Sequence, residues 1–449
     1  MMDYLWPLAM CVALLLGIFS GYPVAFVLAG IGVLFAFAAD VPILFLSTGV
    51  SRTFSGILSN WLLIAVPLFV FMGLMLEKSG IAGRLLRSLA SLLGPLPGGY
   101  AFAVAIIGIV MAASTGIIGA SVVLMGVLAL PAMLENRYDP KLATGIIAST
   151  GTLGILIPPS IMLVILGDTM RISVGDLFAA AMIPGLMLGG LYVAYLIFLA
   201  VFKPQTMPPL AKREHVPLAQ AILQLARDIL APMGLILIVL GSIIAGIATP
   251  TEAAALGAFG AFLLALASRK LDFRTFVAVL NETTKTTAMI MFVMIGATVF
   301  SVIFRKLGGD VMISDALGAE AADTNPYRVM FVIMAFIFIL GMFLDWVEIT
   351  FIVMPIVAPI IAGLDFGLDK EQVLLWFAIL FAVNLQTSFL TPPFGYALFY
   401  IRAVAPAEVG IKAIYQGIIP FVAIQLLALI LVIVFPELAL WLPDALLGR

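Results

Sequence analysis

The chain is 449 residues long, 64% hydrophobic and 10% charged, with a mean hydropathy of +1.24. Soluble domains carry roughly 25% charged residues, so this composition excludes that class. A net charge of −2 gives no bulk attraction to nucleic acid. One cysteine (Cys11, read as a core thiol) and one histidine (His215) provide no ligand set for zinc or haem.

Apolar stretches of about 20 residues or more recur from end to end, the mark of an all-α polytopic membrane protein. At roughly 30 to 40 residues per span and connection, the length suits about ten to twelve crossings and two partial ones. The N-terminus, Met1-Met2-Asp3-Tyr4-Leu5-Trp6, lacks the positive segment of a secretory signal and reads as the start of a first, retained span. Trp6 and Trp441 stand near the two ends, where aromatic rings favour the interface.

Positions 4–39 form a first apolar block with Gly21-Tyr22-Pro23 in its middle. It is too long for one straight span, so tilt or a kink at Pro23 is expected. A second span runs from Trp61 to Leu76. Between Ile81 and Leu93, Arg84 and Arg87 share one side of a helix, and Ile81, Leu85, Leu89 and Leu92 another. That pattern suits a helix lying in the membrane interface. Apolar sequence resumes from Tyr100 to Leu134, broken at Ala113-Ser114-Thr115-Gly116, and a further span covers 176–202. The polar stretch 203–228, with Lys212, Arg213, Glu214, His215, Arg227 and Asp228, reads as a linker between halves 1–202 and 229–449.

The second half repeats the order of the first. The break at Ser114 has a counterpart at Asp345-Trp346, Pro131 at Pro355, Arg171 at Arg402, Asp176 at Glu408 and Pro184 at Pro420. Their nearly constant separation argues for an internal structural repeat.

The most informative pair is a motif that occurs twice. Ser149-Thr150-Gly151-Thr152 runs into Ile157-Pro158-Pro159-Ser160, and Asn384-Leu385-Gln386-Thr387-Ser388 runs into Thr391-Pro392-Pro393-Phe394. A Pro-Pro pair cannot continue a helix. In hydrocarbon, a broken helix survives only where protein or a water-filled cavity surrounds it. Segments 141–171 and 371–402 are too short for two crossings of about 20 residues each, and suit re-entrant hairpins of two half-helices. Two such breaks in matching positions point to a transporter's binding site.

At each tip, hydroxyl and carbonyl oxygens without formal charge suit an alkali cation, and helix N-termini suit an anion. The expected pair is sodium and a carboxylate. The sodium candidates are Ser149, Thr150, Gly151 and Thr152 at the first tip, Gln386, Thr387 and Ser388 at the second, and Gly341 and Asp345 at the second helix break. The carboxylate candidates are Ser114, Thr115, Pro158, Ser160, Asn384, Thr391 and Arg402. Hydroxyls at such places also serve small-residue helix packing. Asp345 could support the second ion site, take up a proton, or mark a helix end at the membrane surface. Arg402 and Arg171 could attract a substrate or reach for the interface. Glu252 fits a first-turn acid at a helix start. No phosphate-binding Gly-Lys-Ser/Thr loop, no HExxH and no Gly-x-Ser-x-Gly is present, so nothing supports an enzyme.

The chain resembles the large membrane subunit of the tripartite ATP-independent periplasmic (TRAP) transporters over nearly its full length. The resemblance rests on Gly21-Tyr22-Pro23-Val24-Ala25-Phe26, Val66-Pro67-Leu68-Phe69, Gly154-Ile155-Leu156-Ile157-Pro158-Pro159-Ser160, Thr249-Pro250-Thr251-Glu252-Ala253-Ala254 and Thr391-Pro392-Pro393-Phe394-Gly395. It implies two inverted repeats and an elevator-type ion-transporter-like fold in the bacterial inner membrane. It also implies sodium-coupled uptake of an organic acid, a separate small membrane subunit, and a soluble periplasmic substrate-binding protein. Some members have an acidic residue near the first helix break; Ser114 to Ser121 has none, which leaves the ion stoichiometry open. The alternative is a stand-alone sodium- or proton-coupled carrier of the same architecture.

Overall fold

The structure, a computed structural model, describes residues 4–209, 218–269, 271–318, 325–393 and 395–447, and among them every regular element is a helix. In chain order these are α1 (Leu5–Phe19), α2 (Val24–Ala38) and α3 (Ile43–Thr53). A π turn (Phe54–Leu58) and a 3-10 turn (Trp61–Ile64) then lead into α4 (Ala65–Lys78). The first half continues with α5 (Ile81–Leu93), α6 (Gly99–Thr115), α7 (Ile118–Glu135), α8 (Pro140–Thr152), α9 (Ile161–Met170) and α10 (Val174–Phe202). Then follow α11 (Leu218–Ile244), α12 (Pro250–Ala267), α13 (Phe273–Lys306), α14 (Gly309–Leu317), α15 (Pro326–Gly341) and α16 (Trp346–Ala362). The chain closes with α17 (Lys370–Ser388), α18 (Tyr396–Val404), α19 (Ile411–Val434) and α20 (Glu437–Leu447).

Among the described residues, seven helices are long and apolar enough to cross a membrane, and six shorter apolar ones accompany them. The apolar stretches are thus divided between long helices and short ones. Positions 4–39 show how. The kink expected at Pro23 is a complete break, with Gly21 at φ +79 and α1 and α2 packed on each other. Fifteen residues of helix reach only about 22 Å, short of a bilayer core of roughly 30 Å.

The amphipathic segment also differs from expectation. Ile81, Leu85 and Leu89 of α5 are buried against α6 and α11, so protein rather than lipid covers that face. Arg84 pairs with Asp228 at 3.7 Å and Ser88 donates to the same carboxylate at 2.8 Å. Arg227 and Asp228 lie within α11. Lys212, Arg213, Glu214 and His215 lie outside the described residues. α12 starts with a capping box in which Thr249 and Glu252 satisfy each other's backbone amides.

The two halves share one succession: a broken helix (α6/α7 and α15/α16), a hairpin (α8/α9 and α17/α18) and a long helix (α10 and α19). Prolines interrupt α7 and α16 (Pro131, Pro355) and α10 and α19 (Pro184, Pro420) at corresponding places. The halves interlock by exchange: α8 packs on α19 and α10 on α17, while α9 packs on α16 and α18 on α7. Small residues allow this approach. A Cβ on Gly145 would lie 2.3 Å from the carbonyl oxygen of Gly417, and one on Gly417 would lie 2.1 Å from that of Lys141. Around this hairpin unit stand α4 and α13, backed by α12 and α2.

Candidate functional site

Each hairpin begins with a strong start signal. Asp139 accepts from the Lys141 amide at 2.9 Å with Pro140 in the first turn, and Asp369 accepts from Glu371 and Gln372 at 2.9 Å. The ascending arms α8 and α17 then enter the protein, and Leu142–Thr152 and Val373–Ser388 are almost wholly buried. α8 ends at Thr152 and α17 at Ser388, each a few residues before a Pro-Pro pair that cannot continue a helix. The Pro158–Pro159 and Pro392–Pro393 bonds are both cis.

At the first tip, the hydroxyls bond backward along the chain. Ser149 donates to the Gly145 carbonyl at 2.7 Å, Thr150 to Ile146 at 2.7 Å, Thr152 to Ser149 at 2.8 Å, and Ser160 to Ile155 at 2.7 Å. At the second tip, Thr387 donates to Val383 at 2.9 Å, Ser388 to Leu385 at 2.8 Å, and Thr391 to Thr387 at 2.9 Å. Each hydroxyl proton is engaged by main chain, which leaves the oxygen lone pairs as acceptors. Ser149, Thr150, Thr152, Ser160, Gln386, Thr387 and Ser388 are all fully buried. Asn384 is pinned by its amide to the Met334 carbonyl of α15 at 2.8 Å.

The two tips meet. The Gln386 amide donates to the Thr152 hydroxyl at 3.2 Å, and the Gln386 carbonyl oxygen is buried with no partner. An orphaned amide oxygen beside hydroxyl acceptors fits a cation without a charged ligand set. Among the described residues, no three His, Cys, Asp or Glu side chains cluster.

Helix α15 supplies a wall. A Cβ on Gly341 would lie 2.1 Å from Ser388 Oγ, so only glycine permits this approach. Gly151 is held against Val122 of α7 in the same way, at 2.3 Å for an added Cβ. Pro158 is buried within the first tip loop.

Two expected residues, Asp345 and Arg402, bond to nearby main chain. Asp345 is the N-cap of α16: its carboxylate accepts from the Trp346 amide at 2.8 Å, and Glu348 returns a bond to the Asp345 amide at 3.2 Å. Gly341, four residues earlier, is what touches Ser388 of the second tip directly. Arg402 is exposed and donates to the Val409 carbonyl at 2.8 Å, in the loop beyond α18 and away from the tip. Ser114 and Thr115 end α6 beside the break at Gly116 (φ +59), and their side chains lie outside the described residues.

One buried pair escaped the sequence reading. Gln425 of α19 donates to the Tyr192 hydroxyl of α10 at 2.8 Å, both side chains being fully buried. The available signal was a lone glutamine amid Ile424, Leu426 and Leu427.

Comparison with known proteins agrees with this architecture. The sequence profile described as the tripartite ATP-independent periplasmic transporter, DctM component, matches residues 10–438. The C4-dicarboxylate TRAP transporter large permease protein DctM of Pseudomonas aeruginosa is 32% identical over 387 residues, spanning 86% of this chain and 87% of that one. The sialic acid TRAP transporter large permease protein SiaM of Vibrio cholerae is 29% identical over 437 residues, with 96% and 97% covered. The isethionate TRAP transporter permease protein DctMQ of Oleidesulfovibrio alaskensis is 31% identical over 380 residues, 84% of this chain but 58% of that longer protein. Among solved structures, the Alcanivorax borkumensis YdaH transporter superposes with a TM-score of 0.58 at 15% identity, over 89% and 88% of the two chains, a likeness of fold. A full-length profile match, relatives of matching length, and paired hairpins amid long apolar helices together show that the chain belongs to the DctM family, the large permease component of the tripartite ATP-independent periplasmic transporters, and is a multi-pass protein of the bacterial inner membrane.

Proposed function

We propose that this chain imports an organic acid by sodium-coupled alternating access, receiving it from a soluble periplasmic binding protein and working beside a small membrane subunit. The observation that carries the reading is the meeting of the two hairpin tips through Gln386 and Thr152, in a buried region rich in uncharged oxygen acceptors. Sodium ions, as co-substrates, would sit on hydroxyl and carbonyl oxygens of Ser149, Thr150, Gly151 and Thr152 on one side and of Gln386, Thr387 and Ser388, beside Gly341, on the other. The carboxylate would lie between the tips, near Pro158, Ser160, Asn384 and Thr391.

The names of the relatives support an anionic organic substrate: C4-dicarboxylates, sialic acid and isethionate each carry a carboxylate or sulfonate. The DctMQ relative extends well beyond this chain, which leaves room there for a fused small subunit. Inversion of the repeats is supported by a count of passages. With each broken helix taken as one passage and each hairpin as none, α4 and its counterpart α13 run in opposite directions. The hairpin unit would then move against α4, α13 and their neighbours as an elevator.

Purified protein in proteoliposomes tests the reading. Uptake is expected only with an inward sodium gradient, the small subunit and a loaded binding protein. Full-rate uptake without any binding protein would favour the stand-alone carrier.

A further inference from the structure

Away from the tips, the end of α3 with its π turn, the end of α9, the last turns of α13 and the middle of α16 enclose a cavity of about 390 Å³. Three arginines line it, Arg52, Arg171 and Arg305, against a single carboxylate, Asp168. That carboxylate is already engaged by the Asn60 amide at 2.6 Å. Among the described residues, none of the three arginines forms an ion pair.

Arg305 is built into place. Pro359 has no N–H to give the Pro355 carbonyl four residues earlier, and an Arg305 Nη donates to that carbonyl instead. Arg305 Nε is buried without a partner, as is the hydroxyl of Thr169 on the cavity wall. Arg52 and Arg171 are exposed and Arg305 is half-buried, so the lining carries a surplus of positive charge that an anion would offset. Guanidinium forks and a hydroxyl match the geometry of carboxylate and phosphate.

We propose that this cavity is an oxyanion site, distinct from the tip site, which takes one carboxylate or phosphate group through Arg52, Arg171, Arg305 and Thr169. Two sources share that chemistry: a soluble organic acid, or the headgroup of an anionic lipid reaching in at the helix ends.

Full-length protein in phosphatidylcholine nanodiscs, in sodium-free buffer, is titrated with succinate. In parallel, protein in nanodiscs containing phosphatidylglycerol is examined by native mass spectrometry for retained lipid. One probe is expected to bind once per chain, to weaken with added salt, and to weaken at least about tenfold in Arg52→Gln/Arg171→Gln. Saturable succinate binding identifies a soluble acid, and retained phosphatidylglycerol identifies a headgroup. Arg171→Gln alone, at an exposed helix end, keeps the test open if the double variant does not fold. The tip variant Thr387→Ala/Ser388→Ala is expected to retain the binding, so failure of the tip reading and failure of this site are separate results. Binding of neither probe, binding unchanged by the arginine variants, or binding lost in the tip variant would overturn the proposal.

Discussion

Thr152 and Gln386 stand 234 positions apart, and the amide of one donates to the hydroxyl of the other at 3.2 Å. Tyr192 and Gln425 stand 233 apart and are joined at 2.8 Å. The Pro158 and Pro392 motifs are separated by the same 234 positions. Both bonds join the first half of the chain to the second, one between the hairpin tips and one where α10 packs on α19.

The Tyr192–Gln425 pair gives a prediction with a sign. Tyr192→Phe leaves the Gln425 amide buried and unpaired, at a cost of about 1–3 kcal/mol. Replacing both partners, as Tyr192→Phe with Gln425→Leu, removes the orphan and is expected to recover most of that loss. Thermal unfolding of the purified protein measures both. A double variant less stable than the single one would contradict this view of the crossing.

Gly341 is predicted to tolerate no side chain. A Cβ there meets Ser388 Oγ at 2.1 Å and Ser388 Cβ at 2.8 Å. Gly341→Ala should cost about 1–3 kcal/mol through overpacking and lower uptake sharply, with Ser388→Ala relieving part of the stability loss. Normal stability and uptake in Gly341→Ala would show that α15 and the second tip are not in this contact.

The cap at Asp345 separates structure from charge. Asparagine caps a helix about as well as aspartate, whereas alanine costs about 1 kcal/mol. Asp345→Asn is expected to unfold at nearly the wild-type temperature and Asp345→Ala about 1–2 °C lower. Equal destabilisation by both would mean that the negative charge, not the cap, holds the break between α15 and α16.

Arg402 is predicted to be dispensable for substrate affinity. Its guanidinium serves the Val409 carbonyl in an exposed loop. Arg402→Gln should leave the substrate concentration for half-maximal uptake unchanged, with stability shifted by no more than about 0.5 kcal/mol, as for other surface changes. A large rise in that concentration would return Arg402 to the binding site.

The hairpins were legible in the sequence because their cause is local. Pro158-Pro159 and Pro392-Pro393 must stop a helix, and segments 141–171 and 371–402 are too short for two crossings. The break at Asp345 was equally visible, since a carboxylate amid apolar residues needs a reason. What the sequence did not show depends on contacts between distant segments. The cover that α6 and α11 give to α5 cannot be read from α5, whose pattern suits lipid as well as protein. Arg402 follows its hairpin as a substrate-binding arginine would, and only the loop carbonyl at Val409 reveals where it points. Tyr192 and Gln425 became meaningful once α10 and α19 were seen to cross.

The central claim is that the two tips form one sodium-dependent site. It is tested most directly by the sodium dependence of uptake in proteoliposomes carrying Thr387→Ala/Ser388→Ala. Alanine is the best helix former, and both hydroxyls bond only within their own helix, so α17 should keep its shape. The account predicts a rise of about fivefold or more in the sodium concentration for half-maximal uptake, as expected for the loss of about 1 kcal/mol or more of ion binding. An unchanged sodium dependence in a folded variant would contradict it.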